Sequence, residues 1–244
     1  MTSTAQKKAT LYRMVMDTHV CPYGVKSRHL LKSRGFAVED HPLTTRAETD
    51  AFKAQHDVKT TPQTFIDGVR VGGYDDLRRY FGKPDPKAPT YRPVIAVFAL
   101  AALMALAASL AVGTLASWRT LQWVIAFAMC LLATLKLQDV ESFSTMFTGY
   151  DLLARRFVPY SYFYPFAEAL AGLLMIWGRF TWLSAPLAFF IGLVGAVSVV
   201  YAVYVQKRDI KCACVGGASN VPLGPVSLAE NLMMMAMAVW MAAA

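Results

Sequence analysis

Cysteine is the residue type in this 244-residue sequence with the most chemistry to offer, and it occurs four times, as Cys21, Cys130, Cys212 and Cys214. Four thiols are too few for a disulfide scaffold and wrongly spaced for a zinc finger, so they read as reactive rather than structural. Cys21 heads the run Cys21-Pro22-Tyr23-Gly24, in which glycine stands where a Cys-x-x-Cys dithiol has its second thiol. An intermediate formed on Cys21 must therefore be resolved by a thiol from elsewhere. The pair Cys212-Ala213-Cys214, followed by Gly216, Gly217, Pro222 and Pro225, belongs to an irregular segment and can either close a strained disulfide or chelate a soft ion. Palmitoylated or idle thiols are the plainer reading of that pair. Cys130, set among Met129, Leu131 and Leu132, reads as a small apolar packing residue.

The elements around Cys21 decide what it can do. Residues 10–16 are rich in strand formers, and Pro22 suits the first position of a helix running through Lys26, Leu30 and Leu31 to Gly35. A second strand is expected at 37–43, a second helix at 47–56, a hairpin across Asp67-Gly68 and a closing helix at 75–81, giving the order βαβαββα. Backbone N–H groups and the partial positive charge at a helix start stabilise a thiolate over a thiol, and Lys26 and Arg28 add to that field.

These residues resemble the glutaredoxin family of the thioredoxin fold over most of residues 9–82. The resemblance rests on Cys21-Pro22-Tyr23-Gly24, on Thr61-Pro62-Gln63-Thr64-Phe65-Ile66 and on Gly72-Gly73-Tyr74-Asp75-Asp76-Leu77, in the family's order. It implies a cis Pro62 facing Cys21 and a Thr61 backbone that pairs with the cysteinyl part of glutathione. It also implies that Tyr23 flanks the tripeptide and that Asp75 and Asp76 hold its γ-glutamyl amine. Helix capping is the plainer role of the two aspartates, and it is compatible with ligand binding. Thr18 and His19 stand where the family usually has a Lys shortly before the cysteine.

Charge and hydropathy divide the chain. Residues 1–92 hold sixteen of the 24 Lys and Arg and ten of the 16 Asp and Glu, leaving eight and six for the remainder. The first third is a water-soluble domain, residues 1–85, followed by a Pro-rich linker at 86–92 and a transmembrane helical domain at 93–244. Spans are expected at 94–116, 121–137, 160–177, 183–205 and 226–243, about five in all, with four the alternative. The net charge of +8 has no cluster of basic residues interleaved with stacking aromatics, so no nucleic-acid partner is expected.

Loop charge orients the spans. Lys83, Lys87 and Arg92 precede the first, Lys136, Arg155 and Arg156 lie between the second and third, and Lys207, Arg208 and Lys211 lie between the fourth and fifth. By the positive-inside rule the N-terminal domain and the Cys212/Cys214 loop are cytoplasmic and the C-terminus is outside, in an inner (cytoplasmic) membrane. The first twenty residues, with Lys7, Lys8, Arg13 and no uninterrupted apolar run, fit a chain without a cleavable secretory signal. Inside the spans lie Glu168, Glu230 and Asn231, and Lys136 either pairs with Glu168 or snorkels. Such groups are costly in a bilayer and mark function.

Residues 121–240 resemble the small integral membrane proteins of the methylamine-utilisation E and DoxX-like redox group. The features are Lys136-Leu137-Gln138-Asp139 with Phe143 and Tyr150, Pro165 with Glu168 and Gly172, and Cys212-x-Cys214-x-Gly216 before a span opening on Glu230-Asn231. That family is a four-helix bundle, so the span at 94–116 is an added linking helix. The expected whole is a thioredoxin-like α/β domain followed by an all-α polytopic membrane bundle. Its expected function is that of a membrane-bound, glutathione-linked thiol–disulfide oxidoreductase relaying between Cys21 and Cys212/Cys214. Glutathione, a thiol or disulfide protein and membrane lipid are the expected partners, and no resident metal is assigned. The alternative is a transporter of a soft metal ion or thiol conjugate, with Cys212 and Cys214 as ligands and the soluble domain as donor or acceptor.

Overall fold

The computed structural model describes residues 7–17, 19–85, 88–113, 117–210, 212–213 and 221–243. Two compact units divide at Ala88 and Pro89.

The first unit is a sheet with helices on both faces. Strand β1 (Lys8–Met16) pairs in parallel with β3 (Ala37–Leu43) on one side and antiparallel with β4 (Gln63–Ile66) on the other. Strand β5 (Val69–Gly72) closes the sheet antiparallel to β4. Helix α1 (Pro22–Ser33) follows Cys21, α2 (Arg46–His56) follows β3, and α3 (Tyr74–Tyr80) follows β5. The expected order βαβαββα stands, with one addition. A two-residue strand β2 (His19–Val20) folds back on the end of β1, pairing Val15 with Val20 and Met16 with His19. Two residues carry no periodicity, which is why the sequence did not announce it.

Alternation along β1 explains the two layers. Ala9 and Leu11 point to a core shared with Leu30 and Leu31 of α1 and Leu77 of α3, with Leu11, Leu31 and Leu77 fully buried. On the opposite face Tyr12 stacks on Phe52 of α2 at 4.6 Å between ring centroids. Helix α2 starts where its sequence says it should. Thr45 accepts from the Glu48 N–H while the Glu48 carboxylate takes the Thr45 N–H, a reciprocal cap. Asp67 (φ 49°) and Gly68 (φ 82°) both adopt the left-handed region at the β4–β5 turn, which is what a two-residue hairpin of this twist demands.

The second unit is helical. It comprises α4 (Arg92–Val112), α5 (Trp118–Leu137), α6 (Val140–Thr148), α7 (Val158–Trp177), α8 (Thr181–Val199, continuing as a π-helix over Val200–Val205) and α9 (Pro225–Ala243). Among the described residues four helices are long and apolar enough to cross a membrane, namely α4, α5, α8 with its extension, and α9. The expected third span coincides with α7, which is 20 residues long but carries Glu168, three tyrosines and two prolines and so falls short on apolarity. It packs between α5 and α8. Helix α6 was not expected; Asp139 caps it by accepting the Ser142 N–H, and Phe143 and Phe147 bury one face against Tyr164 of α7.

The ends of the bundle differ. Gln122 and Trp123 near the start of α5 donate to the Met175 and Ile176 carbonyls near the end of α7, and Trp118 lies 4.7 Å from Trp240 near the end of α9. Trp177 and Trp182, both exposed, sit at that same end, forming the aromatic girdle usual at a membrane interface. The opposite end carries Arg155, Arg156, Lys207 and Arg208, with Arg208 bonded to the Gly149 carbonyl.

Candidate functional sites

Cys21 is the N-cap residue of α1, in extended backbone (φ −65°, ψ 114°), with Pro22 beginning the helix. Its N–H donates to the Met14 carbonyl at 3.2 Å, and its own carbonyl takes the Val25 N–H. The sheet and the first helical turn thus fix the residue at the helix start. Cys21 carries a free thiol and is a largely buried residue, 7% exposed.

Gly24, the fourth residue of the motif, lies against β1. A Cβ placed there would approach the Arg13 Cβ at 2.7 Å, well inside contact distance. The second thiol is therefore not merely missing; its place is filled by Arg13. The Arg13 guanidinium donates to both carboxylate oxygens of Asp40 at 2.7 and 2.8 Å, and Arg28 Nε stands 3.2 Å from Asp40 Oδ2. The Arg13 hydrogen bonds, more than any other cause, hold the Asp40 carboxyl below the usual carboxylate range. The same pair raises Arg13, with a smaller contribution from the Cys21 charge. Neither Arg13 nor Asp40 was singled out from the sequence, since a basic residue on a strand and an acidic one 27 residues later carry no motif.

Tyr23, Thr61, Pro62, Asp75 and Asp76 all line one groove of about 300 Å³, with Thr60, Gly73 and Tyr74 completing it. The Thr61–Pro62 bond is cis. Asp76 has a structural task as well, accepting the Gly73 N–H at 2.9 Å and pairing with Arg79 at 2.6 Å. Gly72 (φ 119°) makes room for it, because a Cβ there would collide with the Asp76 carboxylate. Asp75 is the acid on this helix start that the cap does not use. The groove thus brings the acids Asp75 and Asp76 together with the aromatic rings of Tyr23 and Tyr74.

In the helical unit the buried charges converge. Lys136 Nζ donates to Glu168 Oε2 at 2.6 Å and to Glu230 Oε1 at 3.1 Å, and lies 5.3 Å from the centre of the Tyr164 ring. Lys136 therefore pairs rather than snorkels, and Glu230 joins from α9, which the sequence had not linked to it. All three side chains are nearly or wholly removed from solvent. Asn231 donates to the Ser227 carbonyl at 2.8 Å, while its Oδ1 is buried without a hydrogen-bond partner. Gly195 of α8 lets that side chain in, for a Cβ there would stand 2.5 Å from Asn231 Oδ1.

Cys212 is fully buried in non-helical chain. Two backbone bonds, Cys212 N–H to Val221 carbonyl and Leu223 N–H to Ile210 carbonyl, fold this segment back on itself over the bundle. Such covered irregular backbone is the tolerated kind at membrane depth. The Cys212 sulfur is held in a disulfide, and Sγ lies 3.1 Å from Ser227 Oγ at the start of α9. Cys214 lies outside the described residues, as do Thr18, Pro86, Lys87, Lys211, Gly216 and Gly217. Among the described residues no three His, Cys, Asp or Glu side chains are grouped to hold a metal. Ser227 was missed from the sequence, although its spacing from Glu230 and Asn231 places all three on one helix face.

Comparison with known proteins divides the chain at a similar place. The family model described as methylamine utilisation protein MauE matches residues 113–244, and the glutaredoxin model matches residues 9–71. Hybrid peroxiredoxin hyPrx5 of Haemophilus influenzae is 38% identical over 61 residues, which span 25% of this chain and only 25% of that protein. Glutaredoxin 1 of Rickettsia conorii is 38% identical over 74 residues, 29% of this chain and 72% of the relative. Glutaredoxin 3 of Escherichia coli K12 is 33% identical over 64 residues, 26% of this chain and 77% of the relative.

Proposed function

Because the chain belongs to the methylamine utilisation protein MauE family and carries an N-terminal glutaredoxin domain, we propose that it is a membrane-bound, glutathione-linked thiol–disulfide oxidoreductase. The glutaredoxin domain brings thiol–disulfide chemistry, and the MauE part is the membrane-associated half. Cys21 is the nucleophile and the Cys212/Cys214 pair its redox partner. Tyr23, Thr61, Pro62, Asp75 and Asp76 position glutathione.

The observation that carries this reading is a free thiol at a helix start in one unit and a cysteine held in a disulfide in the other. In the forward direction the Cys21 thiolate attacks the disulfide, a mixed disulfide forms, and a glutathione thiolate releases Cys21 as a protein–glutathione disulfide or resolves the pair directly. Electrons pass from two thiols to one disulfide. With no thiol at position 24, Cys21 cannot resolve its own mixed disulfide locally, and Arg13 keeps that position closed. A sulfur already in a disulfide supports this relay over soft-metal carriage, which needs thiolates.

The sidedness we propose has the glutaredoxin domain and the Cys212 segment in the cytoplasm, α7 as a fifth crossing, and the C-terminus outside. The basic end formed by Arg155, Arg156, Lys207 and Arg208 supports it. Replacing Cys21→Ser should abolish glutathione-dependent reduction of the Cys212 disulfide in membranes; unchanged turnover would sink the relay. Maleimide labelling of reduced Cys212 from the periplasmic side alone would reverse the topology.

A further inference from the structure

The relay uses the sulfurs and leaves the buried charges of the helical unit without a task. We propose that Lys136, Glu168 and Glu230 form a proton store that serves the Cys212 sulfur through the Ser227 hydroxyl when the disulfide is reduced. The proposal rests on the thiol–disulfide reading given above.

Three observations on one site carry it. Two carboxyl groups face a single ammonium, at 2.6 and 3.1 Å, in a protein interior with almost no solvent contact. One ammonium balances one carboxylate, so the second carboxyl is where this apolar interior can hold a proton without an uncompensated charge. Beside them is a small cavity of about 20 Å³, lined by Lys136, Glu230, Asn231 and Ser227. That is room for about one water molecule. The buried, unpartnered Asn231 Oδ1 belongs to the same lining and supplies an acceptor for it. Finally, the Ser227 hydroxyl that borders the cavity is also in hydrogen-bond reach of Cys212 Sγ, at 3.1 Å. Tyr164 of α7 and Tyr150 after α6 are the other titratable groups on the cavity wall.

A thiolate, from glutathione or a protein thiol, attacks the disulfide, forms a mixed disulfide and releases the Cys212 thiolate. This thiolate takes the Ser227 proton while Ser227 takes, directly or through one water, the proton that the two carboxyls hold between them, Glu230 being the one that lines the cavity. An S–H bond forms, an O–H bond breaks at the carboxyl pair, and Ser227 ends as it began. A second thiol then displaces the mixed disulfide. Two thiols are oxidised to one disulfide, and the protein disulfide becomes two thiols. Of the two protons those attacking thiols release, one reaches the partner sulfur and one reloads the carboxyl pair. A proton delivered at the site of bond cleavage spares the membrane interior a bare thiolate, whose burial would be costly.

The test uses the full chain in lipid nanodiscs, with dithiothreitol as reductant. New thiol at Cys212 is trapped with a maleimide and quantified by peptide mass spectrometry, in H₂O and in D₂O. Ser227→Ala should slow reduction by roughly a hundredfold, the lower end of the range for general acid catalysis, and Ser227→Thr should restore it. Glu230→Gln should slow it comparably, and the double variant should be no slower than either single one, since both act on one proton. Wild type should be slower in D₂O than in H₂O, an effect Ser227→Ala should lack because no proton is then in flight at bond cleavage. If Glu230→Gln does not fold, the two Ser227 variants decide the matter. A wild type that is reduced normally alongside a Ser227→Ala protein of equal rate and isotope effect would overturn the proton store and leave the relay intact. A Cys212 disulfide that no thiol reduces would overturn both.

Discussion

Lys136 and Glu168, 32 residues apart on α5 and α7, meet at 2.6 Å with neither side chain more than 3% exposed. The contact ties the two helices through a buried ion pair. Glu230, from α9, closes the triad and ties a third helix to the same ammonium.

Replacing Lys136→Met should therefore be severe. It leaves two buried carboxyls without their cation, and breaking a buried pair from one side costs about 3–5 kcal/mol. Thermal unfolding in detergent should show the loss. The triple variant Lys136→Met/Glu168→Gln/Glu230→Gln should recover much of it, since removing all three charges removes the desolvation cost as well.

Position 24 should refuse a second thiol. Gly24→Cys pushes a Cβ to 2.7 Å from the Arg13 Cβ, and such overpacking typically costs about 1–3 kcal/mol. Hydrogen exchange at the α1 amides of the full chain should rise accordingly. Combining Gly24→Cys with Arg13→Ala changes the atom that obstructs only beyond Cβ, so the strain should persist in part. Full protection in the single variant would contradict the close approach.

The Arg13–Asp40 pair predicts an acid-sensitive glutaredoxin domain. Hydrogen bonds from Arg13 depress the folded-state value of Asp40, so its contribution is fully present above the unfolded carboxyl range, about 3.9. It is lost as pH falls through the lower folded value. Asp40→Asn should cost roughly 1.5–3 kcal/mol at pH 7, the range for hydrogen bonds to charged groups. Amide protection in β1 and β3 should show that difference at pH 7, and it should shrink in strong acid. A constant difference across that range would contradict the assignment.

Gly195 is the entry point for Asn231. A methyl group there meets the amide oxygen at 2.5 Å, so Gly195→Ala should displace Asn231 and cost about 1–3 kcal/mol. Thermal unfolding in detergent is the measurement. The same variant disturbs the cavity beside Ser227, and the reduction rate of the Cys212 disulfide should fall with it.

By itself the sequence determined the two-part architecture and the places where chemistry could occur. Charge segregation divided the chain, because a bilayer excludes the ionised residues that a soluble surface requires. Local patterning gave α1, α2, β3 and the Asp67-Gly68 turn, since a Pro at N1, apolar periodicity and an Asp-Gly turn act over a few residues. Tyr23, Thr61, Pro62, Asp75 and Asp76 were legible as motifs, and all five line one groove. Polarity spoiled α7 as an apolar span, and the same residues made it legible as functional.

Only the tertiary structure decided which groups meet. That Lys136 holds both Glu168 and Glu230, that Arg13 occupies the space of a second thiol, and that Ser227 stands between Cys212 and a buried cavity all depend on helix packing and sheet register. Those contacts join residues 11 to 94 positions apart in the chain. Local propensity carries no information over such separations, because long-range pairs are set by which apolar faces pack and how closely glycines such as Gly195 and Gly24 let them approach.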